Sequence, residues 1–331
     1  MIIVAPSLTL TLSPHRVERE LFMTALKPAS ISLALFLLLS FLPSKSYSLE
    51  CFNSKSLPEI STEANQPSDL SIGPNGQIYL VDGVNNRIVV LDRQGRVKFT
   101  FGQEGTGQGE FQHPLGIDIS KDGMVYIADS GNHRIQVFDG NGNFVRFFRV
   151  KSGPREKPSD PVDVLVSGFK DYVYVSDNDN HKIRVYDTKG NFQFEWGQFG
   201  EEPGQFRYPG MLAKNEQNEI FVVDVLNTRV QKFDPFGNYI LDIGSWGVLP
   251  GNLFRPKGIA VDGKNRVFVS DSYMGLIQVF TDFGRFLGVV CQSGTKKHFS
   301  TPVGLFMDGK NDTLLTVEMR KNTISVTKIL E

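Results

Sequence analysis

The chain has 331 residues and carries 35 Lys plus Arg against 36 Asp plus Glu, so it has no overall field that would draw it to nucleic acid. Its 32 glycines and 17 prolines, spread among many Phe, Val and Ile, point to short strands and tight turns rather than long helices. Its two cysteines are too few for a disulfide scaffold.

The first feature in chain order is a 12-residue apolar run, ISLALFLLLSFL at residues 31–42, behind Lys27 and ahead of Pro43 and Ser46-Tyr47-Ser48. That is the layout of a cleavable export signal, and it falls well short of the roughly 20 apolar residues a bilayer span needs. Residues 1–48 are therefore expected to be a signal region. Met23 is the expected true start, because the polar stretch at residues 13–20 does not suit a signal. Export implies a secreted or periplasmic location. Glu50 beside Cys51 departs from the lipid-attachment pattern, so no lipid anchor and no stable membrane span are expected. Without residues 1–48 the chain keeps 31 basic and 34 acidic groups, which again argues against a nucleic-acid partner.

From there a pattern recurs. Pro67, Pro114, Pro161, Pro209, Pro256 and Pro302 are spaced 47, 47, 48, 47 and 46 residues apart. Asp82, Asp129, Asp177, Asp224, Asp271 and Glu318 keep the same period, with gaps of 47, 48, 47, 47 and 47. Two independent markers with one period define six repeats, and these fill residues 49–331 as a single domain. Within one repeat, residues 115–120, 124–128, 134–138 and 144–148 read as strands, separated by turns such as Lys121-Asp122-Gly123 and Asp139-Gly140-Asn141-Gly142. Four antiparallel strands per repeat make a blade, and six blades make an all-β, six-bladed β-propeller.

The last repeat ends after its third strand, at residues 323–329, so residues 51–60 are expected to supply its outer strand and close the ring. On that reading Cys51 begins the outer strand of blade six while Cys291 ends the outer strand of blade five, on opposite faces of the ring. A five-residue strand spans about 16 Å, and a disulfide needs Cα atoms within about 7 Å, so no bridge is expected.

The stretch YIADSGNHRIQVFD from Tyr126, and YVYVSDNDNHKIRVYD from Tyr172, resemble the NHL repeat signature, and the resemblance covers residues 67–331. Kelch repeats would show Gly-Gly pairs and WD repeats a Trp-Asp pair; here Trp196 and Trp246 each precede Gly. The first four blades keep Asp-x-x-Asn-x-basic: Asp82/Asn85/Arg87, Asp129/Asn132/Arg134, Asp177/Asn180/Lys182 and Asp224/Asn227/Arg229. Blades five and six replace this loop with Met274-Gly275-Leu276 and Lys321-Asn322-Thr323.

The resemblance also bears on catalysis, because a lyase with a similar propeller holds zinc through histidines directly after the repeat proline. Ser68, Leu115, Val162, Gly210, Lys257 and Val303 stand at those positions here, so no metal and no cofactor are expected. The Glu-Gly-Pro ligand segment that opens gluconolactonase-type and paraoxonase-type propellers has no match here either.

The repeated acidic residues, with Asn132 and Asn180, are expected to close interstrand loops by accepting backbone N–H groups. His133 and His181 occupy equivalent loop positions and read as repeat consensus. Phe111, Phe206, Phe254 and Phe299, which precede the prolines, read as packing wedges. The loop into blade three, residues 151–158, is longer and basic.

Candidate binding residues lie where the repeat breaks its own pattern near the channel. Asp69 and Asp163, with Met211, replace the glycines found at Gly116, Gly258 and Gly304, and His113, Tyr208, Arg255 and Lys257 flank them. Asp69 and Asp163 are candidates for binding a cation or amine. The expectation is a monomeric binding or scaffold module for a protein, peptide or glycan, with a metal-dependent lyase or hydrolase as the alternative.

Overall fold

The computed structural model describes residues 50–292 and 294–330; the signal region and Met23 lie outside them. The described residues begin with β1 (Cys51–Phe52) and β2 (Ser54–Ser61) and then run through six blades. Blade one holds β3 (Leu70–Ile72), β4 (Ile78–Asp82), β5 (Arg87–Leu91) and β6 (Val97–Phe101). Blade two holds β7 (Pro114–Ile119), β8 (Val125–Asp129), β9 (Arg134–Phe138) and β10 (Phe144–Arg149). Blade three holds β11 (Pro161–Val166), β12 (Tyr172–Asp177), β13 (Lys182–Asp187) and β14 (Phe192–Trp196). Blade four holds β15 (Pro209–Lys214), β16 (Ile220–Asp224), β17 (Arg229–Phe233) and β18 (Tyr239–Ile243). Blade five holds β19 (Pro256–Val261), β20 (Arg266–Asp271), β21 (Leu276–Thr281) and β22 (Phe286–Gln292), with the short β23 (Thr295–Lys296) on β22. Blade six holds β24 (Pro302–Asp308), β25 (Thr313–Glu318) and β26 (Thr323–Ile329), and its fourth strand is β2. Among the described residues no helix is long and apolar enough to cross a membrane.

The second strand of each blade is short, rich in β-branched and aromatic residues, and buried on both faces, as in Val125–Asp129. Its terminal Asp129 pairs with Pro114 on one side and with Arg134 on the other, so the two repeat markers meet in one register. The outer turns stop the strands by side-chain capture: Asp139 Oδ1 accepts the N–H groups of Asn141 and Asn143, both at 2.9 Å. Gly142 supplies the φ of 81° that this turn requires.

No blade is covered alone. Six apolar clusters each span one junction between neighbours, from Val81 and Ile117 between blades one and two to Leu80 and Val317 between blades one and six. Burying a Val, Ile or Leu contributes about 1.5–3 kcal/mol, so the ring is held by its junctions. The wedge positions are Phe111, Phe206, Leu253 and Phe299, all buried. Phe254 is displaced by one residue from the expected register and stacks on Tyr273 at 4.5 Å.

The closure is double. β2 pairs antiparallel with β26 in blade six, as the repeat arithmetic requires. One residue earlier, β1 pairs in parallel with β22 of blade five, with Cys51 opposite Val289. This overturns the expectation of free thiols: Cys51 and Cys291 form a disulfide, with Cα atoms 5.4 Å apart. Cys51 rides on blade five before the chain crosses at Asn53, so the two cysteines share one blade edge and no strand length separates them.

Candidate functional site

The six inner strands enclose a cavity of about 1010 Å³ along the axis. At its narrow end the first residues of these strands touch, and Gly304 N–H donates to Ser68 O at 3.1 Å. The glycines there are steric necessities: a Cβ on Gly304 would lie 2.7 Å from Asp69 Cα, and one on Gly116 would lie 2.6 Å from Asp163 Cα. The pattern break seen in sequence is thus a knob-and-hole pairing, with Asp69 and Asp163 each filling the space left by a glycine in the preceding blade. From this floor the cavity runs to the turns on the far face, where Lys121, Asp122, Asp171, Lys189 and Lys214 line it.

Asp69 and Asp163 are buried, and Asp118, on the same wall, is half-buried. Each carboxyl reaches the next blade: Ile117 N–H donates to Asp69 Oδ2 at 3.1 Å, Val166 N–H to Asp118 Oδ2 at 2.7 Å, and Leu212 N–H to Asp163 Oδ2 at 2.7 Å. Inner strands are the free edges of their sheets, and these carboxyls satisfy N–H groups that no strand pairs with.

Burial pushes the Asp69 carboxyl up to about 8 against the lowering effect of its backbone donors, and Asp118 to about 6. Asp163 is raised well above the ordinary range, first by burial and then by the charge of Asp69. Opposite them, blades four to six offer Met211, Ala213, Ile259, Ala260, Leu305 and Phe306. The acidic groups are confined to blades one to three, among apolar neighbours such as Leu70 and Val164, while blades four to six are apolar apart from Lys214.

The residues singled out in sequence therefore separate. Asp69, Asp163 and Met211 line the cavity. His113, Tyr208 and Arg255 are exposed on the opposite face, where the inner strands begin, and Lys257 is half-buried there, its pKa lowered by burial and by Arg255. Asp118 escaped notice in sequence, although its signal was present: it is the only acidic residue at the fourth position after a repeat proline.

The repeat aspartates do structural work. Asp129 is wholly buried, accepts Gln112 N–H at 2.8 Å, and holds Asn132 Nδ2 at 2.9 Å and Arg134 Nε at 2.7 Å. Asp82, Asp177, Asp224 and Asp271 bind the corresponding backbone N–H groups at 2.7, 3.1, 2.8 and 2.6 Å. Asn180 Nδ2 lies 3.0 Å from Asp177. His133 and His181 take the left-handed backbone position of this loop, with φ of 56° and 55°, which explains why Asn and Gly also occur there. Among the described residues no three His, Cys, Asp or Glu side chains converge on a common metal position.

This is the architecture of a six-bladed β-propeller built from a short repeated motif. Residues 65–91, 111–138 and 255–280 match the NHL repeat, and the chain is a propeller that carries NHL repeats. Curated protein sequences yield no match. Among solved structures it is similar to a catalytically inactive virginiamycin B lyase from Staphylococcus aureus with quinupristin, at 16% identity and a TM-score of 0.59, covering 83% of each chain. A gluconolactonase from Xanthomonas campestris is 13% identical with a TM-score of 0.62, covering 85% of this chain and 96% of that one. A protein of unknown function from Bacteroides thetaiotaomicron is 14% identical with a TM-score of 0.63, covering 86% and 74%. At these identities the likeness is one of fold.

Proposed function

We propose that the chain is an exported binding module whose axial cavity receives a group from a protein, peptide or glycan ligand. The observation that carries this reading is the divided wall: buried Asp69 and Asp163 and half-buried Asp118 on blades one to three face a surface on blades four to six that is apolar apart from Lys214. An alkylammonium group, such as a lysine side chain or an amino sugar, matches it, with its hydrocarbon on the apolar half and its charge on the carboxyls. The disulfide supports export, since such bonds persist where thiols are not kept reduced.

Because Asp69 and Asp118 titrate at about 8 and about 6, a cation entering the cavity displaces protons from them. Affinity for n-hexylamine is expected to rise as pH climbs from about 6 to about 8, with proton release in calorimetry, while n-hexanol shows neither effect. Equal binding of amine and alcohol, or unchanged amine binding in Asp69→Asn with Asp163→Asn, would sink the proposal. The similarity in fold to a lyase and a lactonase keeps a second reading open, a metal-dependent enzyme. Stoichiometric zinc or calcium in the purified protein would favour it.

A further inference from the structure

The face on which the inner strands begin carries three linkers of one backbone design. In each a parallel bridge closes the loop: Glu104 with Phe111, Phe199 with Phe206, and Trp246 with Leu253. Gly105, Gly200 and Gly247 take φ of 154°, 156° and 148° at the same point in each. The loop is therefore built equally well around different tips. In the first linker the tip is Glu104, Thr106 and Gly107, in the second Phe199, Glu201 and Glu202, and in the third Trp246, Val248 and Leu249.

Nothing in the loop's own folding calls for apolar tips, yet Trp246, Val248 and Leu249 are 72%, 63% and 53% exposed. Tyr273 on blade five, whose ring lies 4.5 Å from Phe254 at the end of the same linker, is 65% exposed, and Phe199 on the neighbouring linker is 64% exposed. Scattered exposed apolar residues are ordinary, but a run of large ones on adjacent loops of one face is not.

On blades five and six the surroundings are basic, with Arg255, Lys296, His298 and Arg320 exposed on this face. The neighbouring linker carries Glu201, paired with Arg207 at 2.9 Å, and the exposed Glu202.

We infer that this face docks on the surface of an anionic lipid bilayer, with the loop of Trp246, Val248 and Leu249 inserted among the headgroups. Projecting tips fit a penetrable surface rather than a preformed groove, and an indole with an aliphatic pair beneath basic side chains is the chemistry of the interface. The cavity opens on the other face, so the inference stands independently of the amine site.

The test uses the full chain with vesicles of phosphatidylcholine alone or mixed with phosphatidylglycerol. The chain is expected to sediment with the anionic vesicles, brominated lipid to quench Trp246, and Trp246→Ser with Leu249→Ser to weaken partitioning by at least about tenfold. The quenching is read on the native chain and does not depend on how the variant folds. Equal sedimentation of the variant, as expected if the apolar run at residues 31–42 were responsible, overturns the inference. So does a native chain that ignores both vesicles and forms a dimer that the variant abolishes, since the face would then be a contact between copies.

Discussion

At Asp69, Asp118 and Asp163 a carboxyl group takes the place of a neighbouring strand, accepting a backbone N–H from the next blade. Desolvation outweighs those donors, so the neutral form is favoured in the folded chain. The folded-state pKa values lie above the ordinary 3.8. Stability from these groups is therefore complete below about pH 4 and is lost as pH rises through about 6 and about 8. The melting temperature of the native chain is expected to fall between about pH 5 and 9 by more than that of Asp69→Asn with Asp118→Asn, a difference of several degrees by circular dichroism. Parallel profiles for the two proteins would show that these carboxyls ionise freely. Sequence showed that positions 69 and 163 depart from glycine. It did not show burial, because depth in the channel depends on how closely six strands approach one another.

The loop into blade three differs from its counterparts, and one substitution in strand β13 accounts for it. In blades two, four and five a buried Gln136, Gln231 or Gln278 clamps the incoming linker, as where Gln136 Nε2 donates to Glu110 O at 2.6 Å. Blade three has Arg184 in that place, buried and bonded to Asp177 at 2.8 Å and to Glu156 and Glu195. Lys182 adds bonds of 2.6 Å to Glu156 and 2.5 Å to Glu195. Burial opposes ionisation of Glu156, but hydrogen bonds from Lys182, the Gly153 N–H and Arg184 hold its pKa at about 2. Counted by residues the loop is basic; folded, its one glutamate ties it down. Glu156→Ala is expected to cost about 1.5–3 kcal/mol and to open residues 151–158 to trypsin, followed by peptide mapping. Unchanged cleavage would mean that the loop is held by other contacts.

Across the whole ring, closure rests on two strands and a covalent bond. β2 completes blade six and β1 extends blade five, so the N-terminal segment bridges the seam between the first and last parts of the chain. The disulfide joins residues 240 apart in sequence, and the loop-entropy account gives a stabilisation of about 5.5 kcal/mol for a loop of this size. Cys51→Ser with Cys291→Ser is expected to lower the urea midpoint, and reductant is expected to destabilise only the native chain. An intact mass unaltered by reductant would rule the bond out.

The number of blades, their strands and the need for an N-terminal strand in blade six were legible in the sequence, because a repeat states its period many times and each copy obeys the same turn and capping chemistry. The backbone hydrogen bonds accepted by Asp82, Asp129, Asp177, Asp224 and Asp271 recur with the same period. What tertiary structure alone decided are relations between blades: the bridge from Cys51 to Cys291, the wedge at Leu253 rather than Phe254, and the joining of Asp118 to Asp69 and Asp163. Those depend on which neighbour a residue meets across a junction, and that is set by the ring's closure rather than by spacing along one strand.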